Sequence, residues 1–429
     1  MFNVTLRLLL GYSFFVHFLI AYFETQAFFF PYILIPIISI LILCKSGINK
    51  EDQTIYVLFI LYIISIIYSV HDIDIDNKDF INIINILFMI PVFIYSKKSI
   101  NNYFIFNKYL KIFIYSGIIM SIYSLKQLMF GYEEFEINAI AKMGSTLNEY
   151  LEMGRIRVTS LTFDPLLTSF MFSICIFLTS CKIFIDFEFK NKIKKINFLF
   201  IIIFFIAMNA TLTRAPILGA IIGFLIILIA NLKLLNIKKI IFLILLNITI
   251  IYILIYSTYE FIAFERNYYT EQIFDTFFSL FKIFNSSDIS HEDYFLIGQS
   301  RDHRIVAIKL AFEYIFERFI YYDYPKNQIS NLDFSLQDIG ILSVGVRYGL
   351  ISYLINQALY LYILKKSING IINCHNLKER GVSYILLGLW IMIIVSVNIS
   401  DISTGIVSGL LIWSIAAIII NKNKIFNGI

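Results

Sequence analysis

Charge is what this sequence has least of. Asp, Glu, Lys and Arg supply 15% of its 429 residues and hydrophobic residues 59%, where a soluble domain carries roughly 25% and roughly 45 to 50%. At a mean hydropathy of +0.78, no water-soluble fold has enough polar surface to cover the rest. Cysteine is also scarce. Cys44, Cys175, Cys181 and Cys374 form no CxxC pair and have no histidine at zinc spacing, which argues against structural disulfides and cysteine metal sites. No Gly-rich phosphate loop, Walker motif, DxD-like motif or HExxH stands where it would be useful, so a cytoplasmic nucleotide donor is disfavoured. The net charge of +5 comes from lysines scattered without a basic stripe, which removes nucleic acid as an expected partner. Internal repeats, broken helices near mid-membrane and disordered linkers are not evident, and residues 1–429 read as a single integral membrane domain.

What the chain does have is long apolar runs of about 17 to 25 residues, the length that crosses ~30 Å of hydrocarbon as a helix. They predict an all-α polytopic membrane protein of about twelve transmembrane helices, near 6–23, 27–44, 54–70, 80–95, 110–129, 163–182, 196–212, 215–231, 239–257, 339–364, 382–398 and 403–420. The first run follows Arg7 and lacks a small-x-small cleavage site, so it reads as a retained helix. Lysines and arginines collect on one side of this alternating trace, which takes 21 of the 35 Lys+Arg but only 5 of the 30 Asp+Glu. Positive residues near span ends stay in the cytoplasm, so both termini are expected there.

Two external segments are long, 130–162 and 258–338, and the second far exceeds what a connector needs. Within it Ser300 reads as the N-cap of an amphipathic helix from Arg301 to about Ile320, and Ile273 to Phe284 form a second amphipathic stretch. The external side is acidic overall, so its arginines stand out. Arg157 lies in RVTSLTFDP, where Asp164 and Pro165 read as N-cap and first residue of the next helix; an interfacial arginine snorkelling to headgroups would look the same. Arg214 lies in the turn NATLTRAPILG, with Pro216 starting the next span. There it either satisfies freed carbonyls or joins Asn209, Thr211 and Thr213 as a pocket wall. Arg301 and Arg304 occupy the first turn of the loop helix, where cations are unfavourable unless an anion joins them. They form a phosphate or pyrophosphate site unless Asp302, Glu292 or Asp293 neutralises them.

Arg347 sits some two and a half turns inside an apolar span, where a charge costs roughly 2.5 to 3.5 kcal/mol and faces protein or water. Gly345 and Gly349 flank it at a spacing that lets another helix pack close, and a structural carboxylate partner remains open. Candidate acids and bases are Asp338, Glu292, Asp293, Asp302, His303 and Asp333, which spacing alone does not rank.

RVTSLTFDPLLTS, TLTRAPILG, a large loop opening with GQSRDHR, and DIGILSVGVRYGLI recur in the order found in a family. Over roughly residues 155–355 the chain resembles the Wzy-type O-antigen and capsular polysaccharide polymerases. That resemblance implies a glycosyltransferase in the bacterial cytoplasmic membrane, without metal or other cofactor. It would move a growing glycan from undecaprenyl pyrophosphate onto a new lipid-linked repeat unit at the outer face. The expected partners are these lipid-linked oligosaccharides, membrane lipids and a chain-length regulator protein. In this reading Asp338 deprotonates the acceptor, Arg301 and Arg214 act on the leaving pyrophosphate, and Arg157, Arg304, Arg347 and His303 hold pyrophosphate or glycan. The related O-antigen ligases typically carry His-Asn where Gln337 and Asp338 stand here, which favours polymerase over ligase. The arginine-to-glycine spacing of some polymerases is not kept after Arg157, Arg214 or Arg301. A flippase or transporter is the competing class.

Overall fold

The computed structural model describes residues 2–46, 53–70, 83–84, 87–142, 158–190, 194–211, 213–232, 311–312, 315–316, 340, 342–372, 374, 377–400, 402 and 405–426. All regular structure in them is helical. In chain order the helices are α1 (Phe2–Ser13), α2 (Val16–Phe23), α3 (Leu34–Ser46), α4 (Gln53–Val70), α5 (Met89–Ser99), α6 (Tyr103–Phe130), α7 (Glu134–Lys142), α8 (Pro165–Lys190), α9 (Lys195–Ala210), α10 (Arg214–Leu232), α11 (Leu342–Ile372), α12 (Leu377–Ile399) and α13 (Ile406–Phe426). Short 3-10 turns occupy Gln26–Ile33 and Ser160–Thr162.

Four helices are long and apolar enough to cross a membrane, namely Tyr103–Phe130, Pro165–Phe187, Glu379–Ile399 and Ile406–Phe426. A fifth appears if α1 and α2, bent by 60°, count as one span. Among the described residues this falls short of the twelve spans in the sequence trace, and local chemistry explains several differences. The run 6–23 breaks where Phe14 and Phe15 take 3-10 bonds to Gly11 and Tyr12 and the Ser13 hydroxyl takes the Leu10 carbonyl. The run 27–44 begins as a 3-10 turn containing Pro31. The ninth run, 239–257, lies outside the described residues, as does nearly all of the loop 258–338.

Surfaces of single helices carry the membrane argument. On α4, Ile55, Phe59, Tyr62 and Ile66 are buried, yet Val57, Ile60, Leu61, Ile64 and Ile67 on the other face are exposed. A helix apolar all round suits lipid on its outer face, not water. The bundle interior holds aromatic layers instead: Trp390 donates to the Tyr360 carbonyl at 3.0 Å, and Phe59 packs edge-on to Trp413 at 5.1 Å.

The bundle has two chemically different ends. At one, Asn421 Nδ2 donates to the Lys97 and Ile100 carbonyls, Lys422 Nζ to the Gly370 carbonyl, and Arg380 to the Cys374 carbonyl. Lys97, Lys98 and Lys424 sit in the last turns of α5 and α13, and Lys422 reaches the last turn of α11, where the helix dipole favours them; Arg380 instead lies in the first turn of α12. This is the lysine-rich end, and the functional candidates gather at the other.

Helix packing relies on glycine, because in lipid close approach replaces hydrophobic drive. Gly219 and Gly223 of α10 lie against the Met392 and Gly388 carbonyls of α12; a Cβ on Gly223 would fall 2.5 Å from the Gly388 oxygen. The pairs 219/392 and 223/388 set an antiparallel register that brings Arg214 level with Val397. Gly223→Leu is expected to lower stability by about 2 kcal/mol or more, since backbone must move. Gly409→Ala, where a Cβ meets nothing within 4 Å, should stabilise by up to about 1 kcal/mol through helix propensity. Thermal melts of the purified protein in detergent distinguish the two.

Candidate functional site

The described segments nearest the candidate arginines converge on the end opposite the lysines. The Val158 amide donates to the Ala210 carbonyl at 3.1 Å, and Thr213 Oγ1 donates to the Pro165 carbonyl at 3.1 Å. The residue following Arg157 is thereby tied to the turn that precedes Arg214. Arg214 itself is the first residue of α10, two residues earlier than the start expected at Pro216. Gly340, with φ +56°, turns the chain into α11 directly against the carbonyls of Val397 and Asn398. The left-handed φ and the contact both require glycine there. Asp338, two residues earlier, lies outside the described residues, as do Arg157, Arg301, His303, Arg304, Glu292, Asp293, Asp302 and Asp333. Of the loop helix, Ala311 and Ile315 are buried, and Ile315 packs into the notch left by Gly345. The carboxyl end of α12 therefore meets the start of α11 directly and stands level with the start of α10.

Two expectations need correction. Arg347 is half-buried on α11, but that helix is not a continuous span. Gly349, with φ +84° and ψ 172°, breaks it into Leu342–Tyr348 and Leu350–Ile372, so Arg347 stands near the end of a short first half-helix. Gly345 serves close packing, as its spacing suggested, but Gly349 serves the break. Thr211 and Thr213 are likewise not a pocket wall. Both are buried, their hydroxyls meet, Thr211 donates to Met208 and Thr213 to Pro165, so they fasten the turn. Asn209 is half-buried beside them.

Two serine hydroxyls meet the carbonyl that precedes the break, and a third serine adjoins them. A carbonyl released from helical bonding in a membrane must find a donor inside the protein. Ser69 Oγ of α4 donates to the Tyr348 carbonyl at 2.7 Å, and Ser352 Oγ lies 2.8 Å from the same oxygen. Ser65 Oγ is 3.0 Å from Ser352 Oγ. Neither the break nor these hydroxyls was legible in advance; a Ser-x-x-x-Ser pair facing a glycine was the available signal.

The segment leading from Arg157 is held by a polar hub that sequence reading also missed. Gln127 Oε1 accepts from the Thr159 and Ser160 amides at 3.1 and 2.7 Å, while its Nε2 donates to Glu136 at 2.8 Å. Glu136 is the third residue of α7 and reaches back to the Glu133 amide, one half of a capping box. It also accepts from Tyr123 at 2.8 Å and Lys126 at 2.7 Å. Beyond the hub, Ser160 and Phe163 carry φ of +50° and +55°, each costing roughly 1 to 2 kcal/mol for a residue with a Cβ. Asp164 caps α8 as expected, accepting from the Leu166 amide at 2.8 Å. Strain of this kind persists only where surroundings over-determine it.

On the other side of this end, an apolar groove of about 260 Å³ is lined by Phe30, Tyr32, Ile33, Pro36, Ile84, Phe88 and Ile406. It contains none of the arginines.

Burial raises the Glu136 carboxyl, but the Glu133 amide, Lys126, Gln127 and Tyr123 outweigh it and hold the pKa below 4.5. A carboxylate depressed in the folded state contributes stability above its unfolded pKa and loses it as pH falls through the folded value. Glu136→Gln should therefore be less stable at neutral pH and show a shallower acid decline below 4.5. Gln127→Ala should cost about 1 to 3 kcal/mol for each buried group left unpaired. Melting curves against pH test both, and an unchanged acid limb in Glu136→Gln would refute the first.

No family model, curated protein or solved structure matches this chain.

Proposed function

We propose that the chain is a polymerase of lipid-linked oligosaccharide repeat units, a glycosyltransferase acting at the outer face of a bacterial cytoplasmic membrane. The observation that carries the reading lies at the end opposite the lysines: the Val158–Asp164 segment is tied to the turn before Arg214, and the start of α11 lies against Val397 and Asn398. These segments sit beside Arg157, Arg214 and Asp338 in sequence. The sequence resemblance placed the same motifs in one site. In the full reading the chain spans the membrane about twelve times, both termini are cytoplasmic, and 258–338 is the external loop.

The acceptor sugar hydroxyl attacks the anomeric carbon of the donor glycan, and its proton passes to Asp338. The bond from that carbon to the pyrophosphate oxygen breaks, and undecaprenyl pyrophosphate leaves with the electron pair. Arg214 and Arg301 stabilise the charge that develops on it, where fixed donors act most strongly. Arg157, Arg304, Arg347 and His303 hold pyrophosphate and glycan; no metal or cofactor is invoked. The apolar groove at the same end suits the lipid portion of the substrate. A chain-length regulator is the protein partner this reading expects. O-antigen ligation is the nearest alternative on the same architecture.

One observation favours a second class. The broken α11 resembles the discontinuous helices of transporters, so a flippase stays in contention. Deleting the gene in its host and resolving surface glycan on gels separates the three. Single repeat units on the lipid anchor support the polymerase, complete loss of transfer to the anchor indicates a ligase, and cytoplasmic build-up of lipid-linked units indicates a flippase. Arg214→Ala, Arg301→Ala and Arg347→Ala should each reduce chain extension about 100-fold or more while the protein still inserts. Wild-type chain length in all three would remove the pyrophosphate site.

A further inference from the structure

The seam between α4 and α11 holds a buried side chain that neither the packing nor the proposed reaction uses. Asn356 is fully buried, and both its Oδ1 and its Nδ2 lack a hydrogen-bond partner among the described residues. It follows Ser352 by one helical turn on the same face, and the pairs Ser69/Tyr348 and Ser65/Ser352 set an antiparallel register. That register places Asn356 opposite Leu61 and Tyr62. Above it run the hydroxyls of Ser352, Ser65 and Ser69, ending at the Tyr348 carbonyl that precedes the break at Gly349. One polar line thus descends from beside Arg347 to Asn356, eight residues or about 12 Å along the helix.

An unpaired carboxamide at such a position demands a partner, since hydrocarbon offers none. The partner's chemistry is constrained, because Oδ1 needs a donor and Nδ2 needs an acceptor. A cation answers only Oδ1, and an anion only Nδ2. Water answers both, and its remaining bonds are available to the serine hydroxyls above. We infer that Asn356 binds ordered water inside the membrane-embedded bundle, at the foot of a hydroxyl line that continues from the break in α11. This site is independent of the proposed polymerase chemistry.

The unmodified full chain in detergent tests it by radiolytic labelling, in which bound water is converted in place to hydroxyl radical and marks nearby side chains. The expected result is severalfold more modification of Tyr62 and Tyr360 than of Tyr95 and Phe113, all four being buried and the last two elsewhere in the bundle. Asn356→Leu should abolish that excess and lower the melting temperature. Labelling no greater than at Tyr95 and Phe113 overturns the proposal, as does an Asn356→Leu protein that melts higher with the pattern unchanged. Replacing sodium by choline should leave the melting temperature unmoved. A sodium-dependent rise would assign the site to a cation and overturn the water.

Discussion

The Tyr348 carbonyl is the point on which the upper half of α11 depends. Gly349 ends one helix and starts another, and a helix end normally leaves carbonyls for water to satisfy. In hydrocarbon that route is closed, so the Ser69 hydroxyl reaches across from α4 and Ser352 turns back from one turn below. The short first half carries Gly340 onto the end of α12, Gly345 under Ile315, and Arg347. Straightening α11 would disturb all three placements together, so two small hydroxyls hold the geometry of an entire end of the bundle.

The rest of that end is built by two unlike devices. Around α12 the device is absence of a side chain, since Gly219, Gly223, Gly340 and Gly388 bring backbone to within contact of backbone. Around α6 it is a surplus of polar bonds on one amide. Gln127 uses its oxygen for two backbone amides and its nitrogen for Glu136, and so fixes a segment with two left-handed residues. Such a clamp is high in stakes, because each partner lost leaves another buried and unpaired. Glycine contacts fail differently: they exclude a Cβ but leave no orphaned charge.

This division explains what the sequence could reveal. Helical runs, the Asp164 and Pro165 start of α8, and the separation of lysines from the arginine-bearing turns rest on composition and local bonding, and they are legible along the chain. Gly349 was visible but ambiguous, because glycine serves both close packing and left-handed backbone, and only the carbonyl-seeking serines of α4 decide between them. Thr211 and Thr213 read as pocket polarity because their acceptors, Met208 and Pro165, are named by folding. Gln127 and Glu136 stand nine residues apart in unremarkable surroundings; their joint role exists only once α7 folds back over α6. The 60° bend after α1 has no proline to announce it, and Gly11 two residues before its end is a weak signal alone.

The position of the break bears on which class of function the architecture suits. Leu342 to Gly349 is seven residues, about 10 Å of helix, so the break lies close to the end of α11 that begins at Gly340. Transporter sites sit near the bilayer midplane, between repeats that rock about it. A break close to the start of α11 keeps Arg347 toward the same end of the bundle as the turn that begins α10. Surface chemistry on an anionic, lipid-anchored group needs cations gathered at one face and held in place, while alternating access needs a polar centre reachable from both. At the lysine-rich end Lys422 and Arg380 are instead bonded to the Gly370 and Cys374 carbonyls, at and just beyond the end of α11.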